Sequence, residues 1–139
     1  MTTESELIAL AERCEAATGP DRELDALIHV AVGRSEGNPI AAPGMSGWCV
    51  GSETNPNPVL SLAYTASLDT AMTLVPEGYN WGVGPWEDWK TGPRTAWAWC
   101  DETGEDWTDE MNVQAATPAL ALTAAALRVR SAALQEKGA

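Results

Sequence analysis

Basic residues are scarce in this chain: eight lysines and arginines stand against 20 aspartates and glutamates, for a formal charge of −12. That balance repels phosphate backbones and anionic membrane, and it excludes nucleic-acid binding by counterion release. Cysteine is also thin. Cys14, Cys49 and Cys100 are an odd number at wide spacing, with no CxxC pair and no cluster around the one histidine, His29, so no zinc site is expected. Cys14 and Cys100 read as small apolar residues in a reducing compartment rather than as disulfide partners. No apolar run approaches the roughly 18 residues of a membrane span. The opening MTTESELIAL lacks the basic start and apolar core of a secretory leader. The expectation is a soluble, cytoplasmic protein with no membrane partner.

Catalytic signatures are missing as well. There is no GxSxG, HExxH, Walker loop or glycine-rich dinucleotide fingerprint, and GVGPWE after Trp81 lacks the following helix that would give its glycines meaning. Glu87 and Asp88 are adjacent acids in a loop, which are ordinarily solvated rather than catalytic. His29 lies off the apolar stripe of its helix, with no serine, cysteine or carboxylate spaced to orient it, and reads as a solvated residue. The chain is therefore expected to be no enzyme and to need no cofactor or metal.

At 139 residues the chain has the size of one domain that buries roughly two-thirds of its unfolded surface. Leu7, Leu10, Ala11 and Cys14 follow the i, i+3, i+4, i+7 template of an amphipathic helix, which Gly19 and Pro20 stop. Leu24, Leu27, Ile28 and Ala31 repeat it as far as Gly33, so an N-terminal αα-hairpin is predicted. Residues 34–58, rich in glycine and proline, read as a long loop with a short strand around Trp48 to Val50. In YTASLDTAMTLVPEG the template recurs at Leu68, Ala71, Met72 and Val75, with Thr65 or Ser67 as N-cap.

From Tyr79 the period changes to two. Tyr79, Trp81 and Val83 alternate with Asn80, Gly82 and Gly84; RTAWAWC alternates again; Met111 to Ala115 follows an acidic loop. These make an antiparallel meander of three strands, or four if the Trp48 segment joins. Thr117 and Pro118 open a last helix, to about Gln135, that is apolar on more than one side. Such a helix needs cover twice over, from its own chain or from a second subunit, and on that ground a homodimer or higher homo-oligomer is expected.

Aromatic content is mostly indole, with seven tryptophans. Alternation puts Trp97 and Trp99 on one strand face and Ala96, Ala98 and Cys100 on the other. The Trp face has two readings: a core face under the αα-hairpin, joined by Trp81, or a binding surface that continues into the loops. The candidate ligand-binding residues are Trp81, Arg94, Trp97 and Trp99, with the loop indoles Trp48, Trp86 and Trp89. Arg94, Lys90 and Arg34 are the cations near these loops.

Three blocks, LIALAERCEAATGPDRELDALI, YTASLDTAMTLVPEG and VQAATPALALTAAALRVRSA, resemble the phage ABA sandwich domain family, in the family's order. The strings ATGPDR, YTASLD and AATPALAL carry the resemblance; residues from Gly33 to Asn57 lie outside it, and Tyr79 stands where the family pattern has a tryptophan. The resemblance implies an α/β/α arrangement within an α+β class, a phage or prophage origin and action in the host bacterial cytoplasm. It supplies no catalytic residues. The function expected is an accessory protein that binds or sequesters a small host molecule, such as a nucleotide-derived anti-phage defence signal. Alternatives are an acidic, Trp-bearing module that docks on a host protein, and a structural part of the phage particle.

Overall fold

A computed structural model describes residues 2–34, 38–42, 47–52, 55–60, 62–86, 95–101 and 113–138. The class is α+β: four helices among the described residues, with an N-terminal helix pair, a long C-terminal helix and a small three-stranded antiparallel sheet against it.

Helix α1, Glu4–Ala16, opens on a capping box. The Thr3 hydroxyl accepts from Glu6 N–H at 3.2 Å while the Glu6 carboxylate accepts from Thr3 N–H at 3.1 Å, so two otherwise orphaned donors are satisfied reciprocally. Its buried residues are Leu7, Leu10, Ala11 and Cys14, the stripe that the spacing predicts. Helix α2, Arg22–Ala31, is capped by Asp21, whose carboxylate accepts from Leu24 N–H at 3.1 Å. It ends at Gly33, whose φ of 81° is the left-handed stop that glycine adopts without steric cost.

The long loop expected over 34–58 is replaced by strands β1, Asn38–Ala42, β2, Gly47–Ser52, and β3, Asn55–Leu60, in an antiparallel sheet of order β1-β2-β3 packed on α2. The prolines that argued for a loop, Pro39, Pro56 and Pro58, all fall in the two outer strands, which pair on one side only and so tolerate residues without an N–H. The register of β2 with β3 also shifts between Val50 and Ser52, which breaks the period that would mark a strand pair. Trp48 thus belongs to a second sheet and adds no fourth strand to the meander.

Helix α3, Leu68–Met72, is shorter than the sequence pattern suggests. Ser67 is its N-cap, not Thr65. Leu74 is buried where Met72 was expected, and Met72 is 38% exposed, because the backbone leaves the helix after Met72 and loses its period.

Strands β4, Asn80–Trp86, β5, Thr95–Asp101, and β6, Val113–Ala115, form the predicted meander in order β4-β5-β6. Helix α4, Pro118–Gly138, follows, its first turn held by Leu120 N–H donating to the Thr117 hydroxyl at 3.2 Å. From Ala119 to Leu127 every residue of α4 is buried. On one side lie β4, β5 and β6, and α1 and α3 cover the rest. Arg128 of α4 donates to both carboxylate oxygens of Glu15 at 2.9 and 3.0 Å, and the Ser131 hydroxyl donates to the Glu4 carbonyl at 3.1 Å. The second apolar side, on which the homo-oligomer expectation rested, is therefore met within the chain.

The face of β5 that meets α4 is the small one. Ala96, Ala98 and Cys100 are buried and belong to the same cluster as the α4 leucines and alanines. Short side chains let the helix axis approach the sheet, which leaves no room for added volume. Ala98→Leu should lower stability by about 1–3 kcal/mol through overpacking, with the urea midpoint falling and the m-value unchanged. Gln114→Ala on the exposed side of β6 should stay within about 0.5 kcal/mol of the parent.

Candidate ligand-binding site

The register of the meander decides which indoles can act together. Trp97 stands opposite Gly84 and Trp99 opposite Gly82, whereas Trp81 stands opposite Cys100. Directly paired residues share a face of an antiparallel sheet, so Trp81 points with Cys100 toward the helix side, where it packs against the core with Val83. The expected trio of indoles is thereby corrected to a pair. Trp81 lies on the wrong parity to join Trp97 and Trp99.

The reading of the Trp face as core under the αα-hairpin is corrected as well. Trp97 and Trp99 are half-buried and are absent from the hydrophobic cluster and from the side chains packed around it, while α1 lies on α4 and α2 lies on β1 and β2. Among the described residues, β4 lies against the two rings. A Cβ placed on Gly82 would stand 2.5 Å from Trp99 Nε1, and one on Gly84 would stand 2.6 Å from Trp97 Cζ2. Each indole therefore lies flat across the strand, seated where the facing residue has no side chain, an arrangement in which an aromatic ring covers a glycine on the neighbouring strand. The two Cα atoms are two residues apart on β5, about 7 Å in an extended strand, so the rings form one continuous apolar platform. Gln114 of β6 is opposite Trp97 and exposed, a polar group at its margin.

The remaining candidates are distributed differently. Trp86 stands opposite Thr95 at the end of the ladder, two positions beyond Gly84. Trp48 lies in β2, in the other sheet. Trp89, Lys90, Arg94 and Trp107 lie outside the described residues, as do Glu87 and Asp88. Arg34 is committed elsewhere: it donates to the Tyr64 hydroxyl at 3.1 Å, to the Thr73 hydroxyl at 2.8 Å and to the Thr73 carbonyl at 2.6 Å, with its guanidinium 5.5 Å from the Tyr64 ring centre.

Arg34 is one end of a buried polar chain that sequence reading missed. His29, expected to be solvated, is 5% exposed, and its Nδ1 lies 3.1 Å from the Tyr64 hydroxyl. Because that hydroxyl already accepts from Arg34, its proton is available to a neutral His29. Burial, followed by the charge of Arg34, holds His29 below its ordinary value of 6.5. Asp25, at 0% exposure, sits one turn earlier in α2. Its Oδ1 accepts from Thr65 N–H and from the Thr65 hydroxyl, each at 2.8 Å, and its Oδ2 accepts from Arg22 at 2.8 Å. Desolvation raises its pKa despite these donors. The Thr65 hydroxyl in turn accepts from Asp21 N–H at 2.9 Å, and the Tyr64 carbonyl accepts from the Thr123 hydroxyl at 3.1 Å. The Cys14 thiol is pushed up to about 12 by burial and the nearby carboxylates of Asp25 and Glu15, so it stays protonated and is a poor nucleophile. His29, Asp25, Tyr64 and Thr65 are buried and joined by hydrogen bonds between α2 and the segment before α3, with Arg34 at the exposed end, so the chain braces the fold.

Among the described residues no group of histidines, cysteines and carboxylates is placed to hold a metal ion, and no helix is long and apolar enough to cross a membrane. Compared with models of protein families, with curated proteins and with solved structures, the chain matches none.

Two measurements follow. Gly82→Ala or Gly84→Ala should force the facing indole off its seat, giving a red-shifted tryptophan emission and stronger quenching by acrylamide, while Ala98→Leu on the opposite face should leave quenching unchanged. For His29 the folded state binds its proton less tightly than the unfolded chain, so stability should fall as pH drops below 6.5 toward the lowered folded value. His29→Gln should flatten that part of the curve, measured as the difference in urea unfolding free energy between variant and parent across pH.

Proposed function

We propose that this protein is a non-catalytic binding protein of phage or prophage type, which captures a small planar host molecule on the Trp97–Trp99 platform. The observation that carries the reading is the seating of both indoles over Gly82 and Gly84, half-buried on the strand face that α4 does not occupy. Two indoles seated on two glycines of the neighbouring strand are a poor way to fill a core and a good way to hold rings flat. A rigid, pre-oriented π-surface loses little conformational freedom when a second ring stacks on it.

The ligand class favoured is a nucleotide-derived signal of host anti-phage defence, acting in the host cytoplasm. A purine or pyrimidine presents a π-face to indole whatever its exocyclic groups. The resemblance of the ATGPDR, YTASLD and AATPALAL strings to phage ABA sandwich proteins supports the phage setting. The inward-turned state of His29, Asp25 and Cys14 supports binding rather than turnover, since each is spent on the fold.

Native mass spectrometry and thermal shift against a panel of linear and cyclic mono-, di- and trinucleotides test the proposal. At least one member should be retained and should raise the melting temperature. Trp97→Ala and Trp99→Ala should each weaken it by on the order of ten-fold or more, from the roughly 1–3 kcal/mol that a base gains by stacking on an aromatic side chain. Retention of no member, or binding indifferent to both substitutions, would remove the reading.

A further inference from the structure

A second concavity lies away from the platform, where the start of α1, the end of α2, the segment after α3 and the last turns of α4 converge. It has a volume of about 450 Å³, within the roughly 300–1,000 Å³ of small-molecule sites. Its described walls are apolar, with Leu7, Val32, Pro76, Tyr79 and Leu134 among them, and the charged group in the wall is Arg130. The Thr2 hydroxyl, which also reaches it, is already bonded to the Ala31 carbonyl at 2.8 Å.

Arg130 is held in a particular way. Its Nε donates to the Leu74 carbonyl at 2.8 Å, which fixes the guanidinium plane and leaves the two terminal nitrogens without an acceptor among the described residues. The other arginines of the described helices have acidic partners: Arg13 with Asp21, Arg22 with Asp25, Arg128 with Glu15. In a chain with 20 acids and eight bases, a half-buried arginine without a carboxylate is the exception. Burial and the neighbouring charge of Arg34 both act against the Arg130 cation, so an anion arriving there would relieve an existing electrostatic cost. Leu134, 36% exposed, continues the apolar wall outward from it.

We propose that this cleft binds an amphipathic carboxylate, its head on the terminal nitrogens of Arg130 in a forked contact and its aliphatic or aryl body along Leu7, Val32, Pro76 and Leu134. The site is separate from the Trp97–Trp99 platform and stands whether or not the platform binds a nucleotide. It gives a role to a cation that α4 carries amid alanine and leucine and that has no carboxylate partner among the described residues.

Isothermal titration of the full chain with octanoate, octan-1-ol and acetate tests it. Octanoate should bind saturably at one per chain, acetate should not bind, and octan-1-ol should bind at least ten-fold more weakly than octanoate. Arg130→Gln should weaken octanoate ten-fold or more and leave octan-1-ol unchanged. Ala133→Trp, which fills the cleft and keeps the arginine, should abolish both, with the urea midpoint of each variant showing that it folds. Trp97→Ala and Trp99→Ala should bind octanoate as the parent does. No saturable octanoate binding, equal affinity for octanoate and octan-1-ol, or octanoate binding undiminished by either Arg130→Gln or Ala133→Trp would overturn the proposal. Loss of octanoate binding in the two tryptophan variants would do the same.

Discussion

The approach of α4 to the β4–β6 sheet is the constraint from which much else follows. Ala96, Ala98 and Cys100 present short side chains to a helix whose own contact residues are largely alanine, so the two backbones come close and the interface is filled by backbone and methyl groups. A strand has two faces and alternates between them. With the small residues of β5 committed to the helix, its large residues, Trp97 and Trp99, are forced to the other side. The glycines of β4 then do for the indoles what the alanines of β5 do for α4: they vacate volume so that something flat can lie close. The candidate site is in this sense a by-product of how the core is packed.

A polar brace holds the same core from behind. Tyr64 and Thr65 sit between α2 and α4, with Asp25 and His29 on one side and Thr123 on the other. Buried polar groups are costly unless paired, and here each main member has a partner on a different element. The pairing orients as well as satisfies: Asp25 can accept from both donors of Thr65 in one placement of that segment, and Arg34 can reach both Tyr64 and Thr73 in one placement of the α2 end. The strings ATGPDR and YTASLD contain Asp21, Tyr64, Thr65 and Ser67. Their unusual appearance has a physical source, because they are the residues of this brace and of two helix caps.

Charge is organised on the same principle. Three arginines are matched to carboxylates, one is spent on Tyr64 and Thr73, and Arg130 is positioned by a carbonyl at the wall of an apolar cleft. The titratable groups with perturbed environments are mostly internal, and for them the shifts report burial and bracing rather than poised chemistry. Perturbed values alone would have pointed to Asp25 and His29 as a site; the hydrogen bonds show them to be structural.

Local information was sufficient for the helices and for the meander. Periods of 3.6 and 2, the cap at Thr117 and the stop at Gly33 are properties of neighbouring residues, and they place α1, α2, α4 and the β4–β6 strands to within a few positions. The burial of Leu7, Leu10, Ala11 and Cys14 was legible for the same reason. Residues 34–60 were not legible, because proline and glycine mask a strand whose prolines happen to fall on sheet edges, and edge position is a property of the assembled sheet. His29 was misread because its ring meets Tyr64, 35 residues away, whose hydroxyl is in turn held by Arg34. Alternation by itself determined that Trp97 and Trp99 share a face. Which face became the core, which glycines the rings would rest on, and that Trp81 would be turned away from them depended on register and on where α4 docked, and those are decided between elements distant in sequence.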